Sequence, residues 1–452
     1  MNGVDNSIIE RNNNLIKGYR IAFSEKKSPI EVKFRDLIPE LKSIDRYTHL
    51  IHSYPAKLLV HIPYFFLNNS VLSSFGDNVL DPFNGSGTVY LETLLSGKNA
   101  FGADSNPLAS LIAKVKSTKY DTQELENQLN KIVKNSRISK NKELPDVVNC
   151  DKWFSLKNKT YLSTILYQIN KVQDEKIKNF MLVSFSNCVK KVSYADPRVS
   201  VPVQLNAEKY DHNSDYRIKI LKKIDEINNV DVIEKFNSIT KENIKRFQKL
   251  EITLIDNYTA NYISNDARKL FRSESELLEN NSIQLIITSP PYAGAQKYIR
   301  SSSLNLGWTG LAKISDLRTL DRKNIGREIY SKCEINVTNT GISNADKLIE
   351  KIALINESRA NIACQYLQEM KKAIDEMIRV LKIDGYIVLV IGNNKICNYE
   401  FNTQEYLTEY ILRKGLKLEF KLIDSINSYG LMTKRNKTAD IISREYILVF
   451  KK

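Results

Sequence analysis

Val79-Leu80-Asp81-Pro82-Phe83-Asn84-Gly85-Ser86-Gly87-Thr88 is the stretch on which the reading of this chain turns. A short apolar run with the character of a buried strand passes into two glycines, which let the backbone turn tightly and approach a ligand, and a helical pattern follows. The next strand-like run leads to Ala100-Phe101-Gly102-Ala103-Asp104-Ser105-Asn106-Pro107. Its acid comes about 20 residues after the glycine turn, a spacing suited to ribose hydroxyls. Strand, glycine turn, helix and strand point to an open α/β sheet, whose ligands sit beyond the carboxyl ends of the strands. The dinucleotide fingerprint is not met, because a third glycine is missing and no basic residue in the loop would neutralise a pyrophosphate. An adenosine-bearing ligand without phosphates fits better, and Asp81, Pro82, Phe83, Gly85, Gly87, Thr88 and Asp104 are its expected binding residues.

A second stretch, Thr288-Ser289-Pro290-Pro291-Tyr292, directly follows the apolar run Ile283 to Ile287 and would therefore emerge at a strand's carboxyl end. Taken alone it also reads as a Pro-Pro turn. Its chemistry suits an exocyclic amine, whose lone pair is delocalised into the base. Ser289 Oγ and the Pro290 carbonyl can accept the amino protons, and the Tyr292 ring can stack on a base that has left the duplex. Together the two stretches resemble the methionine-adenosine binding motif and the catalytic motif of the amino-methylating DNA methyltransferases. The resemblance implies a class I methyltransferase-like fold, S-adenosylmethionine as cofactor, double-stranded DNA as partner, and Ser289, Pro290, Pro291 and Tyr292 as the catalytic loop. Ser before Pro-Pro-Tyr usually goes with cytosine N4, and Asp or Asn there with adenine N6.

The resemblance extends further. His52-Ser53-Tyr54-Pro55-Ala56-Lys57 and the apolar segment to Leu67 resemble a helix that closes over the methionine end of the donor, and equally an ordinary amphipathic helix. In the family an acid before the catalytic strand contacts the donor's adenine amine, which assigns that role to Asp266, although Asn265-Asp266 is also a turn dipeptide. Downstream, a helix from Tyr366 to Leu381, a glycine turn at Gly385, a strand Tyr386 to Ile391, a helix Thr403 to Lys414 and strands Lys417 to Ile423 and Glu445 to Lys451 complete the pattern. The last pair resembles the reversed hairpin of methyltransferase sheets.

The expected architecture is a doubly wound, mostly parallel α/β sheet with a terminal reversed hairpin and a mainly helical inserted lobe. Residues 1–44 read as an arm, 45–120 as the donor-binding half of the core, and 121–250 as a helical insertion and candidate target-recognition lobe. Residues 251–300 carry the catalytic motif, 301–354 form a basic insertion near it, and 355–452 complete the core. In the helical insertion, Thr122 to Val133, Tyr161 to Gln173, Ile177 to Val189 and Tyr216 to Leu250 show apolar recurrence at helical spacing.

The formal net charge of +15 and pI of about 9.3 suit a polyanionic partner, although the abundance of Lys, Asn and Ile also fits compositional drift. Lys297, Arg300, Arg322 and Lys323, beyond the catalytic motif, and Arg198, in the turn-rich stretch Ser193 to Pro202, are candidates for contacting nucleic acid; a solvated charged face is the alternative. Five cysteines and four histidines show no metal-ligand spacing, so no metal is expected. A carbon-5 cytosine methylase would need a Pro-Cys pair, and the sequence has none. With no apolar run long enough to span a bilayer and no signal-peptide core, a soluble, cytoplasmic protein is expected, with a cognate restriction or defence protein as a candidate partner. Adenine-N6 methylation, RNA amine methylation and non-enzymatic DNA binding are the rival readings.

Overall fold

The computed structural model describes residues 5–452 apart from 42–45, 56, 142, 252–257, 274, 295–296 and 426–443. Its strands are β1 (Ile30–Val32), β2 (Asn78–Asp81), β3 (Asn99–Gly102), β4 (Ala260–Tyr262), β5 (Ile283–Thr288), β6 (Leu381–Ile391), β7 (Asn394–Ile396), β8 (Tyr399–Phe401), β9 (Lys417–Ser425) and β10 (Arg444–Lys451). Eight of them form one sheet in the order β1-β9-β10-β6-β5-β2-β3-β4, while β7 and β8 form a separate ribbon. From β6 to β4 every pairing is parallel, and β10 runs antiparallel to both β6 and β9. The expected mostly parallel sheet with its reversed terminal hairpin is therefore present.

Period-two alternation explains the two layers of helices. In β6, Tyr386, Val388 and Val390 face one core, and Ile387, Leu389 and Ile391 face the other. The second core is closed by the long helix Glu357–Val380, which buries Tyr366, Leu367, Met370, Ile374 and Met377. The first is closed by the amino-terminal helix Asn6–Lys26 and the helix His61–Leu67, which contribute Ile16, Phe23, Ile62 and Phe65.

Several sequence expectations are corrected. The described part of the expected arm, residues 5–41, is packed into the core: Asp5 caps its helix by accepting from Ser7 N at 3.0 Å, Phe34 and Ile38 are fully buried, and β1 adds a parallel edge strand to β9. Of His52 to Leu67, only His61–Leu67 is helical; Ala56 lies outside the described residues. The stretch Tyr216 to Leu250 is two helices, Asp215–Asn229 and Val232–Glu251, because Asp231 starts the second by accepting from Glu234 N at 2.9 Å. The segment after the catalytic motif is not wholly a basic insertion either. Its helix Tyr298–Trp308 buries Ile299, Leu304, Leu306 and Trp308 in the same core as the helical lobe.

Candidate active site

Asp81 ends β2, and the chain then turns through Gly85 and Gly87, both at positive φ (48° and 77°). At Gly87 a Cβ would stand 2.9 Å from Ala113 Cβ, so only glycine lets helix Thr88–Leu95 start this close to its neighbour. Asp104, just beyond β3, ties the turn down: Oδ2 accepts from Gly85 N and Oδ1 from Asn106 N, both at 2.8 Å. Asn106 in turn caps helix Pro107–Lys116 by accepting from Leu108 N at 3.0 Å, with Pro107 in the first turn.

These residues meet the catalytic loop around one crevice. Of the residues expected from sequence, Pro82, Phe83, Gly85, Asp104, Asp266, Ser289 and Pro291 line it, and Lys323 does too. The carboxyl ends of β2, β3 and β5 and the turn after β4 thus converge, as the open-sheet rule requires. Tyr54, Ser105, Asn265, Ala267, Tyr298, Asn324 and Ile325 complete the lining. Tyr54 enters from a non-helical stretch, held where its hydroxyl accepts from Asn106 Nδ2 at 3.1 Å. Asn324 accepts from Ser105 Oγ at 2.7 Å, which joins the far segment to the donor loop. No local pattern around Asn324 announces this, since the bond spans 219 residues of sequence.

Other expected binding residues do not line the crevice. Gly87 and Thr88 begin the helix behind it. Asp81 is turned into the protein, where its Oδ1 accepts from Thr288 Oγ1 at 2.6 Å and from Phe83 N at 3.0 Å. Pro290 is buried and is not among the lining residues. Tyr292 is half-buried against the core, with its hydroxyl donating to Glu445 Oε1 at 3.5 Å.

Burial shapes the electrostatics. It pushes the Asp81 carboxyl up to about 7, against the opposing pull of its bonds to Thr288 and Phe83. Burial also raises Asp104 to about 6, against the two backbone N–H groups it accepts from. Glu445, beside Tyr292, is raised to about 7 by burial and then by Asp424. Asp266 is instead paired with Arg268, which reaches both carboxylate oxygens, Glu369 Oε1 at 3.1 Å and the Lys323 carbonyl at 3.1 Å. Two acids, Asp104 and Asp266, thus line the crevice against one cation, Lys323. The buried amide of Asn84 and hydroxyl of Ser86, in the same turn, have no side-chain hydrogen-bond partner among the described residues, and neither side chain lines the crevice.

A second, larger cleft of about 800 Å³ is built partly from the segment 297–334, which also supplies Tyr298, Lys323 and Asn324 to the crevice. Lys152, Lys209, Lys297, Arg300, Arg318, Arg322 and Arg327 line it against Asp321, Glu328 and Glu334, so cations prevail. Lys297 and Arg322 direct part of their charge to Glu328 (2.9 Å) and Glu334 (3.8 Å). Arg198 is not among the lining residues; it pairs with Asp196 at 2.6 Å. Among the described residues no group of acids, histidines and cysteines could hold a metal, and no helix is long and apolar enough to cross a membrane.

Residues 283–452, from β5 to the end of the chain, match the model of the N6/N4 DNA methylase family. The chain is a DNA methyltransferase of the amino-methylating, restriction-modification type. The methyltransferase is similar along most of its length to the type II methyltransferase M.MvaI of Kocuria varians: 23% identity over 431 residues, 89% of this chain and 91% of the relative. To M.MjaII of Methanocaldococcus jannaschii it is 33% identical over 156 residues, 32% of this chain and 29% of that one. To M.BsoBI of Geobacillus stearothermophilus it is 23% identical over 259 residues, 54% and 50% of the two chains. Methyltransferases of this type normally use S-adenosylmethionine.

Proposed function

We propose that the methyltransferase moves the methyl group of S-adenosylmethionine to cytosine N4 in double-stranded DNA, on a base swung out of the duplex. The observation that carries this reading is the presence of Ser289 and Pro291 in the same crevice as Phe83, Asp104 and Asp266. The donor supplies an electrophilic methyl group. Phe83 and Gly85 would bound it, Asp104 would accept from its ribose hydroxyls, and Asp266 from its adenine amine. Ser289 Oγ and the Pro290 carbonyl would accept the two amino protons, which leaves the nitrogen lone pair aimed at the methyl group, and Tyr292 is the candidate stacking face. Orientation of this kind supplies much of the acceleration in a direct transfer. No metal is needed.

The basic cleft is the candidate DNA interface, with Lys297, Arg300 and Arg322 toward the phosphates flanking the flipped base. A cytosolic location and a cognate restriction enzyme suit such a modifying activity. The test is direct: DNA methylated by the protein is digested to nucleosides and the product identified by mass spectrometry. N4-methylcytosine is the expected product, and N6-methyladenine would move the assignment to adenine.

A further inference from the structure

One carboxylate links the two motifs. Asp81 closes β2 and Thr288 closes β5, adjacent strands paired in parallel through Val79–Leu285 and Leu80–Ile286. Past that register one chain leads into the donor turn and the other to Ser289. Between them Asp81 Oδ1 accepts from Thr288 Oγ1 at 2.6 Å, and the same oxygen accepts from Phe83 N at 3.0 Å. Asp81 is 5% exposed and Thr288 fully buried, so water does not compete for the bond between them. The Asp81 carbonyl also accepts from Ala103 N at 3.0 Å, and the Ala103 carbonyl from Asn84 N at 2.9 Å, so the base of the donor turn is held on its other side too.

We propose that Asp81 and Thr288 are a positioning pair that sets the distance and angle between methyl donor and acceptor amine, without touching either. The proposal rests on the reading of Phe83 as a donor neighbour and Ser289 as an acceptor neighbour. Each of these lies within two residues of a member of the pair. Thr288 is not needed to bind the donor, and Ser289 would still hold an amino proton without it. What the bond adds is relative placement. Near-attack geometry is sensitive to displacements on the order of 1 Å, which can cost roughly a hundredfold in rate.

The experiment compares Thr288→Val, Thr288→Ser and Asp81→Asn with the parent in single-turnover methylation, alongside donor affinity by calorimetry and thermal melting. Thr288→Val keeps the shape and loses the hydroxyl, so the methyl-transfer rate should fall about ten- to a hundredfold while the donor dissociation constant stays within about twofold. Thr288→Ser restores the hydroxyl and should recover most of the rate. Asp81→Asn keeps an acceptor oxygen and should lose less rate than Thr288→Val. Should Thr288→Val melt before the assay temperature, Thr288→Ala at lower temperature must show the same split. Unchanged rate in the hydroxyl-less variants would overturn the proposal, as would a loss of donor affinity equal to the loss of rate, or failure of serine to rescue. Ser289→Ala is the control on the site itself: if it too leaves the rate untouched, the assignment of the catalytic loop fails rather than the brace alone.

Discussion

Asp104 has one structural duty and one proposed duty in binding the donor, and its replacement should reveal both. As the proposed ribose acceptor it would contribute to donor affinity, and as the partner of Gly85 N and Asn106 N it shapes the turn that receives the donor. Asp104→Ala should weaken donor binding by about 1–3 kcal/mol, the cost of leaving buried donors unpaired; calorimetry with unchanged affinity would remove Asp104 from the pocket. Ser289 and Tyr292 should separate differently. If Tyr292 is the stacking face proposed above, Tyr292→Ala costs about 1–3 kcal/mol of stacking, and a target base already mispaired should recover part of the lost rate because extrusion then costs less. On the proposed role of Ser289, Ser289→Ala would unhook an amino proton and should gain nothing from mispairing. Single-turnover rates on matched and mismatched duplexes decide it, and equal rescue of both variants would refute this division of roles.

At the level of elements, what can be read in sequence follows from local constraint. The turn Asp81–Thr88 and the loop Thr288–Tyr292 carry glycines and prolines whose backbone demands are local, so both lie where the sequence places strand ends. The amino-terminal helix Asn6–Lys26 is opaque in sequence because its buried positions, Asn12, Ile16 and Phe23, are few and one is polar. Asn12 is buried to donate to the Asn68 carbonyl at 2.8 Å, a partner no local pattern reveals. Likewise Asp81 reads in sequence as a ligand-facing acid, since its bond to Thr288 crosses 207 residues. The cations from Lys297 to Arg327 are legible as a basic run, but not as a wall shared with Lys152 and Lys209. If that wall meets DNA, replacing Arg300 and Arg322 by Ala should lower the salt slope of binding by about one for each phosphate left unneutralised. Filter binding over a salt series measures it, and an intact slope would leave these side chains facing solvent.

Across the whole molecule the helical lobe and the donor-side helices share a core. Leu91, Leu108 and Ile112, behind the donor turn, belong to the same apolar cluster as Phe180, Phe185, Phe236 and Trp308. At this junction His49 meets Glu92 at 2.7 Å and His52 meets Ser186 at 3.1 Å. Burial lowers His49 to about 4 and His52 to about 3, so both stay neutral in the fold where an unfolded chain would take up protons. Their contribution is present above the unfolded value of 6.5 and declines as pH falls below it. Asp81 and Glu445, raised to about 7, and Asp104, raised to about 6, act in the opposite sense: the fold binds their protons first, so acidification from pH 7 favours it. The two sets oppose each other between about pH 7 and 5. Asp81→Asn removes one of the groups that gains from acid. Over that interval the parent collects about 1–3 kcal/mol from protonating Asp81 and the variant collects none, at about 1.4 kcal/mol for each unit of pKa difference. The variant should therefore lose stability relative to the parent on going from pH 7 to 5. Urea unfolding at both pH values measures this, and a difference between the two proteins that does not move with pH would show that Asp81 is ionised in the fold throughout.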